Sequence, residues 1–118
     1  MDVELIREYC LLKKGTEECF PFDNNTLVFK VMGKVFLLLS LDAQPLRINA
    51  KCDPEQAIIL RENNPNILPG YHMNKKHWNT IICDSSINQK LLKEWINHSY
   101  DLVIASLPKK IKQELLAF

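Results

Sequence analysis

The chain begins with apolar side chains at Leu5, Ile6, Tyr9 and Leu12 among charged neighbours. That spacing predicts a helix with one buried stripe. Asp2 is placed to cap it, and Gly15 after Lys13-Lys14 is placed to stop it, with cations near the negative helix end. Residues 16–25 hold Glu17, Glu18, Pro21, Asp23 and two adjacent Asn, and read as a loop. Period-two patterning then takes over. Residues 26–31 are rich in β-branched and aromatic side chains, Met32-Gly33 reads as a two-residue turn, and residues 34–41 return. That turn sets Val31 opposite Lys34 and Lys30 opposite Val35. After a turn at 42–45, residues 46–52 alternate: Leu46, Ile48, Ala50 and Cys52 take one face, and Arg47, Asn49 and Lys51 the other. This is the pattern of an antiparallel strand with one wet face.

Asp53-Pro54-Glu55-Gln56 opens a second helix, with Asp53 as cap, Pro54 in the first turn and Gln56 completing a capping box. It should end near Asn63-Asn64-Pro65. Residues 66–76 read as a long connection, and 78–84 as a fourth strand. Ser86, with Gln89 three residues on, is expected to cap a third helix. Its buried stripe is Leu91, Leu92, Trp95, Ile96, Ser99, Leu102 and Val103. Pro108 stops or kinks it, and residues 109–118 form a short terminal helix. Consecutive hairpins without regular strand–helix alternation give an α+β fold. The expectation is a single domain over residues 1–118, with an antiparallel sheet and helices packed mainly on one face.

The chain's 118 residues bound this to one domain able to bury its own core. The longest apolar run, residues 35–39, is far short of the roughly 20 residues a membrane-spanning helix needs. The start, Met1-Asp2-Val3-Glu4, is acidic where a secretion signal is basic, so a cytoplasmic, monomeric protein without membrane association is expected. Cys10, Cys19, Cys52 and Cys83 form no CxxC pair; Cys10, Cys52 and Cys83 sit beside apolar residues and read as core fillers.

Net charge is +1, which excludes a strongly basic or acidic chain, but it hides a gradient. Residues 1–29 carry net −3, whereas residues 30–51 carry net +3 through Lys30, Lys34, Arg47 and Lys51 against Asp42. Two cations and an amide on one strand face can meet a phosphate backbone, and can equally be a solvated sheet surface. The second concentration is Tyr71-His72-Met73-Asn74-Lys75-Lys76-His77-Trp78-Asn79. There Lys75 and Lys76 can neutralise phosphates, Asn74 can read base edges, and Tyr71, His72 or His77 can stack or donate. Trp78, at a strand start, reads as a core or rim anchor. The five-residue spacing of His72 and His77 fits no strong zinc pattern, and no nucleophile or phosphate-loop motif is present. No metal, no cofactor and no enzymatic activity are expected. Lys109, Lys110 and Lys112 read as a solvated helix face.

Several stretches together resemble the MmcQ/YjbR family of small bacterial proteins. They are Phe20-Pro21-Phe22, residues 26–31 with Gly33-Lys34, and the stretch from Leu46 through Asp53-Pro54-Glu55. The block from Pro69 to Asn79, His98-Ser99-Tyr100 and Leu107-Pro108-Lys109-Lys110 complete them. The resemblance spans about residues 3–112, and its most specific part is the Pro69 to Asn79 block. It implies a compact α+β domain grouped at fold level with the frataxin-like CyaY architecture. It also implies a double-wing DNA-binding role, with no catalytic residues to carry over. The leading expectation is therefore a non-enzymatic protein that binds double-stranded DNA mainly through its phosphates. The contacts expected are Lys30, Lys34, Arg47 and Lys51 from the sheet, and Tyr71, His72, Asn74, Lys75, Lys76 and His77 from the loop. The alternative is a small-ligand or protein-interaction module with Tyr71, His72, His77 and Trp78 lining a cleft.

Overall fold

In a computed structural model, describing residues 2–70 and 73–118, the chain forms six strands and four helices. In chain order these are α1 (Val3–Leu11), β1 (Thr16–Cys19), β2 (Thr26–Val31), β3 (Lys34–Ser40), β4 (Leu46–Lys51), α2 (Pro54–Asn63), β5 (Ile67–Pro69), β6 (Trp78–Cys83), α3 (Gln89–Ser106) and α4 (Lys109–Leu115). One antiparallel sheet holds all six strands in the order β1-β2-β3-β4-β6-β5. The α+β class and the single domain hold, and the radius of gyration of 13.7 Å suits one compact domain of this length.

The β2–β3 turn forms as its sequence dictates. Met32 and Gly33 both take positive φ, at 49° and 82°, the conformation of a tight hairpin turn whose twist matches the strands. Val31 faces Lys34 and Lys30 faces Val35, as expected. The pairing is irregular between Phe29 and Lys30, and the consecutive residues Phe36 and Leu37 both enter the helix-side core. There Phe36 lies 5.5 Å edge-on to Tyr100 and 6.5 Å from Phe29, by ring centroids.

The helix-side core joins Phe29, Leu37, Leu39, Ile48 and Ile81 of the sheet to Ile6 and Cys10 of α1 and to Leu92, Ile96 and Val103 of α3. On the other face, Val28, Leu38 and Trp78 make a smaller cluster with Cys19, Val35 and Met73. Residue 73 belongs to the β5–β6 loop, so that loop folds partly over the face without helices. The buried thiols behave as fillers: burial pushes Cys10 up to about 12, and Cys52 and Cys83 up to about 11.

Several expectations are corrected. Residues 16–25 are not all loop, since Thr16–Cys19 pairs with β2. Residues 66–76 contain the edge strand β5. Leu12 lies outside the buried stripe, 84% exposed, because α1 ends at Leu11. Leu91 faces outward on α3. The cap of α3 is Asn88, which accepts from the Leu91 N–H at 3.1 Å, whereas Ser86 hydrogen-bonds Asp84. Asp53 caps α2 through the Gln56 N–H at 3.2 Å, but its own N–H donates to His98 Nε2 at 3.2 Å, so no reciprocal box closes. The terminal helix stops at Leu115.

Candidate functional site

Strand direction decides which cations can act together. In this register the end of β2, the start of β3, the end of β4 and the start of β6 lie at one end of the sheet. The turn before β1 lies there too, because Met32 N–H donates to the Gly15 carbonyl at 3.4 Å. The β5–β6 loop closes the same end: Cys52 N–H donates to the His77 carbonyl at 2.8 Å, and Gly70 N–H to the Trp78 carbonyl at 2.9 Å. Lys14, Lys34, Lys51, Lys75, Lys76 and His77 therefore share one end of the molecule. All but Lys51 are exposed, and Lys51 is half-buried.

The individual side chains are held in different ways. Lys51 Nζ lies 5.8 Å from the Trp78 ring centroid, a cation over an aromatic face that fixes its direction. Trp78 is only 8% exposed and belongs to the apolar cluster under the loop. It is thus an anchor and is too deep to line an open cleft. Lys30 shares the face without helices, directly opposite Glu17, which offsets part of its charge. Asn74 Oδ1 accepts from the Lys76 and His77 N–H groups at 2.9 and 3.3 Å, a local turn that stiffens the loop. Only the NH₂ end of Asn74 remains for an outside partner. Arg61 donates to the Lys75 carbonyl at 3.1 Å and ties the loop to α2. Tyr71 and His72 lie outside the described residues.

Arg47 is separated from this group. It faces Ser40 and Ile82 at the far end of β4, four residues and about 13 Å from Lys51. That far end is acidic. Asp2 and Asp84 share a cavity of about 740 Å³ with Leu41 and Leu46, Asp42 occupies the β3–β4 turn, and Asp23 the β1–β2 loop. The Asp23 carboxyl is held below its ordinary value by the Asn25 and Thr26 N–H groups. That of Asp84 is lowered by the Ser86 hydroxyl and N–H and by Asn66. The molecule is polarised along its strands. Topology re-sorts the charge that the sequence segments carry: Arg47 leaves the basic group, and Lys14, which helix patterning had marked only as part of a helix end, joins it.

Among the described residues no group of three or more His, Cys, Asp or Glu is arranged to hold a metal ion. No helix among them is long and apolar enough to cross a membrane.

A family model described as YjbR matches residues 11–102. Among curated proteins the chain is 43% identical over 95 residues to "Uncharacterized protein YbdF" of Escherichia coli O157:H7, covering 80% of this chain and 77% of that protein. It is 28% identical over 116 residues to "Uncharacterized protein YjbR" of Escherichia coli strain K12, covering 98% of each. Among solved structures, the Deinococcus radiodurans protein DR2400, with domain DUF419, superposes at a TM-score of 0.91 with 39% identity. That match covers 96% of this chain and 86% of the other. A Pseudomonas syringae protein superposes at 0.75 with 27% identity, covering 86% of this chain and 98% of the other.

Proposed function

The chain belongs to the YjbR family, and on that footing we propose that it is a non-enzymatic, cytoplasmic protein that binds double-stranded DNA through the basic end of its sheet. The observation that carries this reading is the convergence of Lys14, Lys34, Lys51, Lys75, Lys76 and His77 from four separate connections onto one end. Asp2, Asp23, Asp42 and Asp84 lie at the other end, while Glu55 sits beside Lys75 and Lys76 and offsets part of their charge. A duplex approaching the basic end meets several cations on loops braced by a rigid sheet, the arrangement that positions phosphate contacts. Lys51 is aimed by Trp78, and Lys75 and Lys76 by the Asn74 turn and the Arg61 tie. Arg47, at the opposite end, contributes less than the lysines, and so does Lys30, whose charge is partly offset by Glu17 across the strand pair.

Contacts of this kind read charge, so binding is largely independent of sequence and steeply salt-dependent. Fluorescence anisotropy of a labelled duplex checks this. Binding is expected at low salt, with log affinity falling linearly in log salt. In the Lys75→Ala/Lys76→Ala variant the slope should shrink by about 2, at roughly 0.9 per lost phosphate contact. No binding at low salt, or an unchanged slope in the double variant, overturns the reading.

A further inference from the structure

Three distant stretches of the chain meet on the helix-covered side of the sheet, beneath α2 and α3: the start of α2 at Asp53, the second residue of β6 at Asn79, and the middle of α3 at His98. Between α2 and α3 lies a cleft of about 360 Å³ walled by Asp53, Gln56, Leu60, Glu94, Trp95 and His98. Leu60, Trp95 and His98 also wall a small chamber beneath it of about 10 Å³, completed by Cys52, Asn79 and Ser99 among others. That chamber has room for about one group the size of a water molecule.

The polar atoms around the chamber are almost all committed. His98 Nε2 accepts from the Asp53 N–H at 3.2 Å, which places the ring proton on Nδ1. Ser99 Oγ donates to the Lys51 carbonyl at 2.5 Å. The Cys52 thiol, raised to about 11 by burial, stays protonated at neutral pH. Asn79, 2% exposed, donates through Nδ2 to the Ala57 carbonyl at 3.3 Å, while its Oδ1 has no partner. The chamber thus presents a buried acceptor that calls for a donor. The cleft above it carries two carboxylates, Asp53 and Glu94, with no lysine or arginine in its wall. Leu60 and the Trp95 ring supply apolar sides.

An acceptor at the bottom, aliphatic and aromatic walls, and negative charge at the mouth form the complement of an amine on a hydrocarbon stem. We infer that this cleft binds a small aliphatic diamine, one ammonium donating to Asn79 Oδ1 and the other lying between Asp53 and Glu94. The inference is independent of the DNA reading, because Lys51 enters the chamber wall with its carbonyl taken by Ser99 while its ammonium lies over Trp78, and because the cleft calls for a ligand of opposite charge.

The test is an NMR titration of the full chain with 1,4-diaminobutane at constant ionic strength. It reads the Asn79 side-chain amide and the Trp95 indole N–H. Saturable shifts at both groups are expected, with the apparent Kd weakened about tenfold in Glu94→Gln. Glu94 is exposed on α3, so that substitution leaves the fold intact. The inference is overturned by shifts that rise linearly without saturating, by shifts that added sodium chloride reproduces, and by saturable shifts unchanged by Glu94→Gln. A water resonance exchanging with the Asn79 amide and undisturbed by the diamine also overturns it, since water alone then fills the chamber.

Discussion

The two ends of the sheet differ in what their charges are attached to. At the acidic end, carboxylates are bound into local structure: Asp23 accepts from Asn25 and Thr26, Asp84 from Ser86 and Asn66, Asp2 caps α1, and Glu18 is paired by Arg7 through Nε at 2.7 Å and Nη2 at 2.5 Å. These acids complete turns and helix starts. At the basic end, the exposed lysines sit on turns held by backbone hydrogen bonds and by the Asn74, Arg61 and Tyr100 side chains, so their ammonium groups are not needed to hold the turns. One end uses its charge to fold, and the other holds its charge out to solvent. A net charge of +1 conceals this division, and the lesson is that residue-level charge matters only once the strand register has sorted it.

The comparison can be broken most sharply by reversing the free end. Lys34→Glu with Lys51→Glu places two new acids among the remaining lysines. Duplex binding should then fall below the ~10⁻⁴ M limit of non-specific contacts, while thermal unfolding shifts only slightly. Retained binding with an unchanged salt slope would show that the lysine group is only a solvated surface.

A smaller effect sharpens the other side. The Asp23 and Asp84 carboxyls are lowered from an ordinary 3.8 by hydrogen bonds present only in the folded chain. A depressed folded value means these groups stabilise the fold above that ordinary value, and that this stabilisation is lost as the pH falls through it. Protection of the Asn25, Thr26 and Ser86 amides, taken against the intrinsic exchange rate at each pH, should therefore fall below about pH 4, and Asp23→Asn should remove that pH dependence at Asn25 and Thr26. A uniform fall in protection across both ends would mean that the acidic end has no special dependence on its carboxylates.

Much of the fold was legible because it rests on local signals. The alternation of Leu46 to Cys52, the Met32-Gly33 turn and the Asp53-Pro54 helix start all form as read. The misses share a physical origin. β1 and β5 are edge strands of four and three residues, and β1 reads Thr-Glu-Glu-Cys, a polar stretch that its position at the rim permits. Ser86 had the right spacing for a cap, but Asp84 and Asn66 engage its hydroxyl. The candidate site was half legible. Lys34, Lys51, Lys75 and Lys76 were identified singly, but their convergence depends on β4 pairing with β6 across α2 and β5, a long-range choice that no local pattern encodes. The same pairing carries Arg47 away from them. The α2–α3 cleft was not foreseen at all, because Asp53, Asn79 and His98 read individually as a cap, a strand residue and a helix residue.

The central claim is that the molecule meets DNA with one end. The most direct measurement is a map of backbone amide shifts during titration with a short duplex at low salt. Shifts are expected to concentrate at Lys14, at Met32-Gly33-Lys34, at Lys51 and across residues 73–77. The Asp23 loop, the Asp42 turn and Ser86 should stay unmoved. Shifts centred on the acidic end, or none anywhere at low salt, would contradict the account.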